Sequence, residues 1–239
     1  MEKYKSFLIL VIVIILIIFG VNMLNNAKEK EENSSNSNKY QIIGYWQNYV
    51  DKENSKPLKL KEVSSLYNVI NIAFARASSE KSGEITFELN KYLCETINYS
   101  KEEFKSDIKK LQKENKKVFI SIGGSDGGEF RITKETEANN FVNSLKKIID
   151  EYGFDGIDID IETGNIEKSY FEKALFDIYN AYNKNILISI NSSLTDMKSA
   201  DINSGVDNFW YKISADLKDI VWLVSSRYYN SGTQRRIWL

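Results

Sequence analysis

Alternation of acidic and apolar residues singles out one short stretch of the chain. Residues 155–162 read Asp-Gly-Ile-Asp-Ile-Asp-Ile-Glu, and a period of two is typical of a β-strand. Asp158, Asp160 and Glu162 then share one face, and the isoleucines share the other. Neighbouring carboxylates on that face lie roughly 6–7 Å apart, so their repulsion favours a proton on at least one of them. A protonated carboxyl beside an ionised one can carry out acid-assisted hydrolysis.

A strand with this pattern can also be the solvated face of an antiparallel sheet. Here the polar positions hold acids only, and the acid face continues to the C-terminal end of the strand, where α/β folds place their chemistry. Helical patterns on both sides suggest a strand that is buried on both faces. These features favour a buried acidic strand over a solvated one.

Helical and extended patterns alternate through the rest of the domain. Apolar stripes at helical spacing predict three helices, one beginning near Ser100, one ending at Gly153 and one around residues 171–182. Besides the acidic strand, the predicted strands cover residues 41–46, 67–75, 118–122, 186–190 and 219–225.

This alternation implies parallel strands in an α/β fold, either a doubly wound sheet or a (β/α)8 TIM-type barrel. The glycine pairs at 123–124 and 127–128 do not have the spacing of a dinucleotide-binding or phosphate-binding loop. Carboxylates that point into a lumen explain the acidic strand. We therefore predict the barrel.

The amino terminus is predicted to cross a membrane. Residues 7–24 are mostly apolar and follow Lys3 and Lys5, and at 1.5 Å per residue they cover roughly 27 Å, close to the thickness of the hydrocarbon layer. We predict a signal anchor over residues 1–24 with the lysines inside; a cleaved signal peptide is the alternative. The rest of the chain is then exported, either held at the cell membrane or secreted.

The segment that follows is polar. Residues 25–39 are rich in Asn, Ser, Lys and Glu without apolar periodicity, so we expect a flexible linker. The folded domain is then predicted over residues 40–239.

Composition excludes several kinds of chemistry. The chain has no histidine, which excludes histidine-based triads, histidine metal ligands and a histidine general base. Its single cysteine, Cys94, cannot form an internal disulfide or a zinc site. The net charge of −1 offers no electrostatic support for a nucleic-acid partner. We expect neither a metal nor a cofactor.

Four motifs resemble glycoside hydrolase family 18, the chitinases and endo-β-N-acetylglucosaminidases. Residues 155–162 match the family signature Asp-x-x-Asp-x-Asp-x-Glu at all four acids, and residues 121–124 match its Ser-x-Gly-Gly motif. Residues 44–46 (Gly-Tyr-Trp) resemble the end of its first strand, and residues 228–230 (Tyr-Tyr-Asn) the end of its sixth. The two longer matches occur in the family's order.

The resemblance implies catalytic roles for three of the four acids and for Tyr229. Glu162 would protonate the glycosidic oxygen, and the substrate's own 2-acetamido oxygen would attack the anomeric carbon. Asp160 would hold the acetamide N–H, Asp158 would share a proton with Asp160, and Tyr229 would bond the acetamide carbonyl. Asp155 has the wrong parity for the same face and is interpreted as a structural acid at the start of the strand.

Further residues are predicted to contribute to substrate binding. Tyr45, Trp46 and Phe74 lie at predicted strand ends, where aromatic rings can stack on sugars. Gly123 and Gly124 are expected to permit close approach between neighbouring strands, which would affect substrate indirectly.

The resemblance also implies that part of the barrel is missing. About six strands can be counted where a closed barrel needs eight, so we expect a chain truncated after the sixth strand. The predicted function is an exported glycosidase acting on β-1,4-linked N-acetylglucosamine polymers such as chitin. The alternatives are a non-catalytic carbohydrate-binding module or an inactive fragment, and an N-glycan core or cell-wall glycan as the substrate.

Overall fold

Six parallel strands, arranged in the order in which they occur along the chain, form the main sheet. The computed structural model describes residues 41–50, 56–193 and 215–227. A short strand pairs antiparallel with the second strand of the main sheet, and two others form a small parallel sheet. The strands are β1 (Ile43–Gln47), β2 (Val69–Ala77), β3 (Ile85–Thr86), β4 (Lys117–Gly123), β5 (Phe130–Ile132), β6 (Gly156–Asp160), β7 (Gly164–Ile166), β8 (Leu187–Ser193) and β9 (Leu223–Arg227).

The predicted helices are present and begin and end for the expected local reasons. Ser100 caps the second helix by accepting a 3.1 Å hydrogen bond from Glu103 N. Gly153 ends the third helix with a left-handed φ of 76°, a conformation that favours glycine. The helices are α1 (Lys91–Ile97), α2 (Lys101–Lys113), α3 (Glu135–Tyr152), α4 (Lys168–Ala181) and α5 (Ala215–Ile220).

All six predicted strands of the main sheet are found, which confirms the α/β prediction. Across the described part of the sheet the strand order β1-β2-β4-β6-β8-β9 never reverses, whereas a doubly wound sheet reverses at its switch point. The chain therefore forms a partial (β/α)-barrel-like fold. The described residues contain six strands of such a barrel, those of the main sheet.

Two predicted strand boundaries were wrong. The acidic strand β6 ends at Asp160, so Glu162 follows the strand instead of belonging to it. The prediction of a strand from residue 219 is also wrong, because α5 extends to Ile220 and Val221 N still donates a 3.2 Å hydrogen bond to Leu217 O. The last strand, β9, begins only at Leu223.

The sheet separates an apolar layer from a polar interior. Alternate isoleucines of β2, β4, β6 and β8 are buried in one cluster with the apolar faces of α2, α3 and α4. The residues between these isoleucines point to the other side of the sheet and do not belong to this cluster. Most of them are buried too. Those intervening positions hold most of the buried polar side chains, namely Asn71, Ser121, Asp158, Asp160, Ser189 and Asn191.

A hydrogen bond across the interior demonstrates how strongly the sheet curls. Asn191 Nδ2 on β8 donates to Tyr45 Oη on β1 over 3.1 Å, although β2, β4 and β6 lie between these two strands in the sheet. In a flat sheet four strand spacings would separate β1 from β8 by roughly 19 Å. The strands must therefore wrap around a common interior for these side chains to meet.

The predicted membrane segment 1–24 and linker 25–39 lie outside the described residues. Within the part of the chain that the structure describes, none of the helices is long and apolar enough to span a bilayer.

Candidate active site

The two central acids of the acidic strand lie deep inside the curled sheet. Asp158 and Asp160 are only 1% and 2% exposed, and they alternate with Ile157 and Ile159 of the apolar layer. This burial rules out the alternative of a solvated acidic face. The two carboxyl groups instead share the enclosed polar interior.

Three hydroxyl groups converge on the Asp158 carboxylate. Tyr45 Oη and Ser121 Oγ donate to Oδ2 at 2.8 Å and 2.7 Å, and Ser189 Oγ donates to Oδ1 at 2.6 Å. The three donors come from β1, β4 and β8, so curling of the sheet brings them together around a side chain of β6. Both oxygens of Asp158 are therefore held in a defined direction.

The pKa of Asp158 reflects two opposing effects. Burial disfavours the charged form and raises the pKa above the ordinary value of 3.8, while the hydrogen bonds from Ser189, Ser121 and Tyr45 lower it. Burial is the larger effect, so the pKa of this carboxyl is raised. The raised pKa favours the protonated form of Asp158 relative to that of a solvated aspartate.

Tyr45 links the carboxylate to the opposite wall of the interior. Burial of its hydroxyl end raises its pKa far above the usual range, and the nearby charges of Asp158 and Asp160 raise it further. The residue as a whole is 40% exposed, so this burial concerns the hydroxyl, which donates to Asp158 and accepts from Asn191. Tyr45 is thus a neutral hydrogen-bonding group.

The residue predicted to be the acid, Glu162, lies just beyond the end of β6 and is partly buried. Hydrogen bonds to the loop after β4 hold the chain on both sides of it. Gly124 N donates to Asp160 O at 2.9 Å, and Thr163 Oγ1 donates to Gly128 O at 3.1 Å. Pairing of β7 with β5 begins at Gly164. The backbone that carries Glu162 is therefore supported closely on either side.

Gly123 and Gly124 bring the ends of β4 and β6 together, as the sequence predicts. A Cβ at Gly123 would overlap the carbonyl oxygen of Asp160, and the φ of 121° at Gly123 also disfavours a side chain. A Cβ at Gly124 would lie 2.7 Å from the ring of Phe74. Phe74 is partly buried, and its ring centroid lies 6.2 Å from that of Tyr45.

The prediction that Trp46 contacts substrate is not supported by its position. Its ring is 4% exposed and packs 5.4 Å from Phe104 in the apolar layer, and Nε1 donates to Leu58 O at 2.9 Å. Adjacent residues of a strand point to opposite faces. Since Tyr45 points into the interior, Trp46 must point towards the helices.

Two other predicted residues lie away from the carboxylate pair or outside the described residues. Asp155 lies immediately before β6, where its Oδ2 accepts from Val118 N at 2.9 Å and from Gln112 Nε2 at 3.0 Å. These bonds join the N-terminal ends of β4 and β6, at the opposite end of the strand from Glu162. Tyr229 lies outside the residues that the structure describes.

Three polar residues of the interior were not predicted from the sequence: Asn71, Ser189 and Asn191. Each is at most 5% exposed and follows an isoleucine of the apolar layer on its strand. The signal was available, because Ser189 and Asn191 alternate with Ile188 and Ile190 just as the acids do on β6. Serine and asparagine are uncharged, so their alternation with isoleucine is less conspicuous than that of a run of carboxylates.

A cavity of about 310 Å³ adjoins this cluster at β1. Its lining includes Tyr45, Trp46 and Tyr67 but none of the three acids of residues 158–162. Among the described residues, no group of three or more Asp, Glu or Cys side chains could hold a metal ion.

Comparison with known proteins places these features in a family. Residues 41–236 match the model of glycosyl hydrolases family 18. The chain is 43% identical to Chitinase D of Niallia circulans over 126 residues and 41% identical to Chitinase Chi52 of Paenibacillus xylanexedens over 125 residues. Each alignment covers 52% of this chain but only 22% of the relative.

A solved structure of a family 18 chitinase is also similar to this chain. A family 18 chitinase from Chromobacterium violaceum superposes with a TM-score of 0.69 at 28% sequence identity, covering 81% of this chain and 51% of that chain. The present chain thus spans only about half of this solved chain, and a smaller share of the two relatives.

Proposed function

Because the chain belongs to glycosyl hydrolase family 18, we propose that it is a glycosidase that hydrolyses β-1,4-linked N-acetylglucosamine polymers of the chitin type. The observation that carries the proposal is the buried pair Asp158 and Asp160, followed two residues later by the partly buried Glu162. Chitin as the substrate class is supported by the similarity to proteins named as chitinases.

The proposed reaction begins with proton transfer from Glu162 to the glycosidic oxygen. The bond between that oxygen and the anomeric carbon breaks while the substrate's 2-acetamido oxygen bonds to the same carbon, which gives a cyclic oxazolinium ion. Water then attacks the anomeric carbon, the acetamido oxygen is released, and a proton returns to Glu162. Two inversions at one carbon retain its configuration.

Asp160 and Asp158 have supporting roles in this proposal. Asp160 orients the acetamide by accepting its N–H and balances the positive charge of the oxazolinium ion. Asp158 adjusts the charge of Asp160 through proton exchange, which its elevated pKa favours. The hydroxyl groups around Asp158 are already oriented before substrate binds, so little reorganisation is required.

We also propose that the enzyme acts outside the cell. The support for this is the apolar run over residues 7–24 behind Lys3 and Lys5, which has the length and flanking charge of a membrane-directed segment.

The test is hydrolysis of a fluorogenic chitobioside by the full 239-residue chain. We expect turnover that Glu162→Gln reduces by roughly 10²–10⁴-fold, since it removes the transferable proton but leaves the shape. Glu167→Gln is the matched control, because Glu167 is exposed five residues further along the chain, and it should have wild-type activity. NMR should show the β-anomer as the first product.

Other outcomes have distinct meanings. Binding of chitooligosaccharides without turnover would indicate a carbohydrate-binding module. Turnover of an N-glycan or a cell-wall glycan but not of chitobiosides would assign a different substrate to the same acids. Equal activity of Glu162→Gln and wild type would refute the proposed role of Glu162.

A further inference from the structure

We infer that Asn191 is a positioning residue that directs the Tyr45 proton towards Asp158. In the proposed reaction, on which the catalytic part of this inference rests, Asn191 would act through Tyr45 without contacting the substrate. It would thereby favour the ionised form of Asp158.

The chain of hydrogen bonds has only one consistent proton order. Asn191 Nδ2 lies 3.1 Å from Tyr45 Oη, and Tyr45 Oη lies 2.8 Å from Asp158 Oδ2. An amide nitrogen has no lone pair with which to accept a hydrogen bond, so Tyr45 must accept from Asn191. A phenol has a single proton, which is then available only to Asp158.

Asn191 can impose this order because it is held firmly. It is 5% exposed on β8, a strand that is paired on both sides by β6 and β9. Ile188 and Ile190 on the same strand are buried in the apolar layer, which fixes the face on which Asn191 lies. Tyr45 belongs to β1, so Asn191 restrains it from the opposite side of the interior.

The direction of the Tyr45 proton affects how readily Asp158 ionises. The titratable groups that act here are Tyr45 from β1 and Asp160 from β6 itself, with Glu162 following on the same segment. The strands β2, β4 and β8 contribute neutral groups. Burial thus opposes the ionised form of Asp158, and the oriented O–H donors of Ser189, Ser121 and Tyr45 favour it.

Substituting Asn191 should therefore change the pKa of Asp158 through Tyr45. Asn191→Ala removes one of two side-chain amides that hydrogen-bond Tyr45, the other being Asn71, and so weakens the restraint that directs the phenol proton towards Asp158. Asn191→Asp keeps the shape of the side chain, but its carboxylate accepts from Tyr45 and competes with Asp158 for the one proton. A role that does not act through Tyr45 predicts instead that each change shifts the pKa of Asp158 equally with and without the Tyr45 hydroxyl.

The decisive measurement is the titration of Asp158 by carbon NMR of the full chain labelled at aspartate, with the resonance identified by its loss in Asp158→Asn. We expect Asn191→Ala to raise the pKa of Asp158 by about half a unit, and Tyr45→Phe to raise it by more. In the Tyr45→Phe background, Asn191→Ala should produce no additional shift. The inference is overturned if Asn191→Ala leaves the pKa unchanged, or shifts it equally with and without the Tyr45 hydroxyl.

Activity supplies an independent measurement. Asn191→Asp should reduce kcat/KM more than Asn191→Ala, roughly a hundredfold against roughly tenfold, because the introduced carboxyl competes with Asp158 for the Tyr45 proton. Asn139→Asp and Asn139→Ala are matched controls on the exposed face of α3 and should behave as wild type. Greater activity in Asn191→Asp than in Asn191→Ala would contradict the inference.

The two proposals can fail separately. If the chain binds or cleaves no chitooligosaccharide but the Asp158 titration shifts as described, the proposed function fails and the inference stands. If hydrolysis is observed and the titration does not shift, the inference fails and the proposed function stands. Should Asn191→Ala not fold, Asn191→Asp measured with and without the Tyr45 hydroxyl decides the question through the same titration, because only a shift that depends on that hydroxyl passes through Tyr45.

Discussion

Ser121 Oγ on β4 lies 2.7 Å from Asp158 Oδ2 on β6, and these two residues are also register partners in the parallel sheet. The hydrogen bond therefore joins side chains that backbone pairing already aligns. Ser121 is fully buried and Asp158 is 1% exposed, so no water competes for the carboxylate at this point. A contact of this kind to a charged group contributes more than an ordinary hydrogen bond.

Ser121→Ala is expected to destabilise the protein by about 1–3 kcal/mol, because it removes one of the two donors to a buried oxygen. It should also raise the pKa of Asp158, since one of the effects that lower it is lost. Urea unfolding measures the first effect and aspartate NMR the second. Ser125→Ala, in the exposed loop after β4, is the control and should stay within about 0.5 kcal/mol of wild type. Equal stability of the two variants would contradict the prediction.

Asp158→Asn tests whether burial of this carboxyl makes stability depend on pH. The folded state has the higher pKa, so it binds the proton more tightly than the unfolded chain, and stability is lost as pH rises from about 3.8 through the raised value. Asparagine does not titrate. The free energy of unfolding of the variant, relative to wild type, should therefore increase with pH across that window and level off above it.

Urea unfolding at a series of pH values gives this comparison. Asp126→Asn, which changes an exposed acid in the loop after β4, is the control and should run parallel to wild type. Two parallel curves for Asp158→Asn and wild type would show that the pKa of Asp158 is not raised by folding.

Gly123→Ala should destabilise the protein by more than about 3 kcal/mol, because the new methyl group would overlap the backbone of Asp160 in addition to the cost of its left-handed φ. Gly153→Ala separates the two costs. Gly153 also has a positive φ, of 76°, but nothing lies within 4 Å of its Cβ position, so the expected loss is only about 1 kcal/mol. Thermal unfolding of both variants checks the difference. Similar losses would mean that close approach at Gly123 adds nothing.

Glu137→Gln tests a buried carboxylate away from the interior acids. Glu137 is 3% exposed at its side chain, and burial alone would raise its pKa. Hydrogen bonds from Thr133 and Ser82, together with the charge of Lys134, outweigh burial and lower the pKa to about 2. Its stabilising contribution is then present above pH 4.5 and is lost as the pH falls towards 2.

We expect Glu137→Gln to lose about 2 kcal/mol at pH 7 and to show a weaker acid dependence of unfolding between pH 4.5 and 2 than wild type. Acid titration followed by circular dichroism measures this. Glu129→Gln, at an exposed position nearby in sequence, should unfold like wild type. An unchanged acid transition in Glu137→Gln would indicate that the carboxylate is not selectively stabilised by folding.

Periodicity predicted the fold well because it is a local property of the chain. The six main strands and the helices α2, α3 and α4 all follow from spacing of apolar residues. The shorter elements α1, β3, β5 and β7 were missed, because two to seven residues with mixed polarity carry little periodic signal. The segment from residue 219 was misread since apolar residues at 220–223 fit a helix end and a strand equally well.

Residue type and parity predicted part of the site. The alternation around Asp158 and Asp160 identified the buried face, and the paired glycines identified the close approach of β4 to β6. The position of Trp46 at a strand end did not reveal its side-chain direction, which parity relative to Tyr45 places in the apolar layer. Its contact with substrate stays a prediction.

The sequence by itself determined which side of each strand is polar, because side-chain direction alternates with every residue whatever the surroundings. It also determined family membership, since the acid signature is a property of order along the chain. Only the tertiary structure decided which polar groups meet. Tyr45 and Asn191 are 146 positions apart, and they meet at Asp158 solely because the curled sheet brings β1, β4, β6 and β8 around one interior.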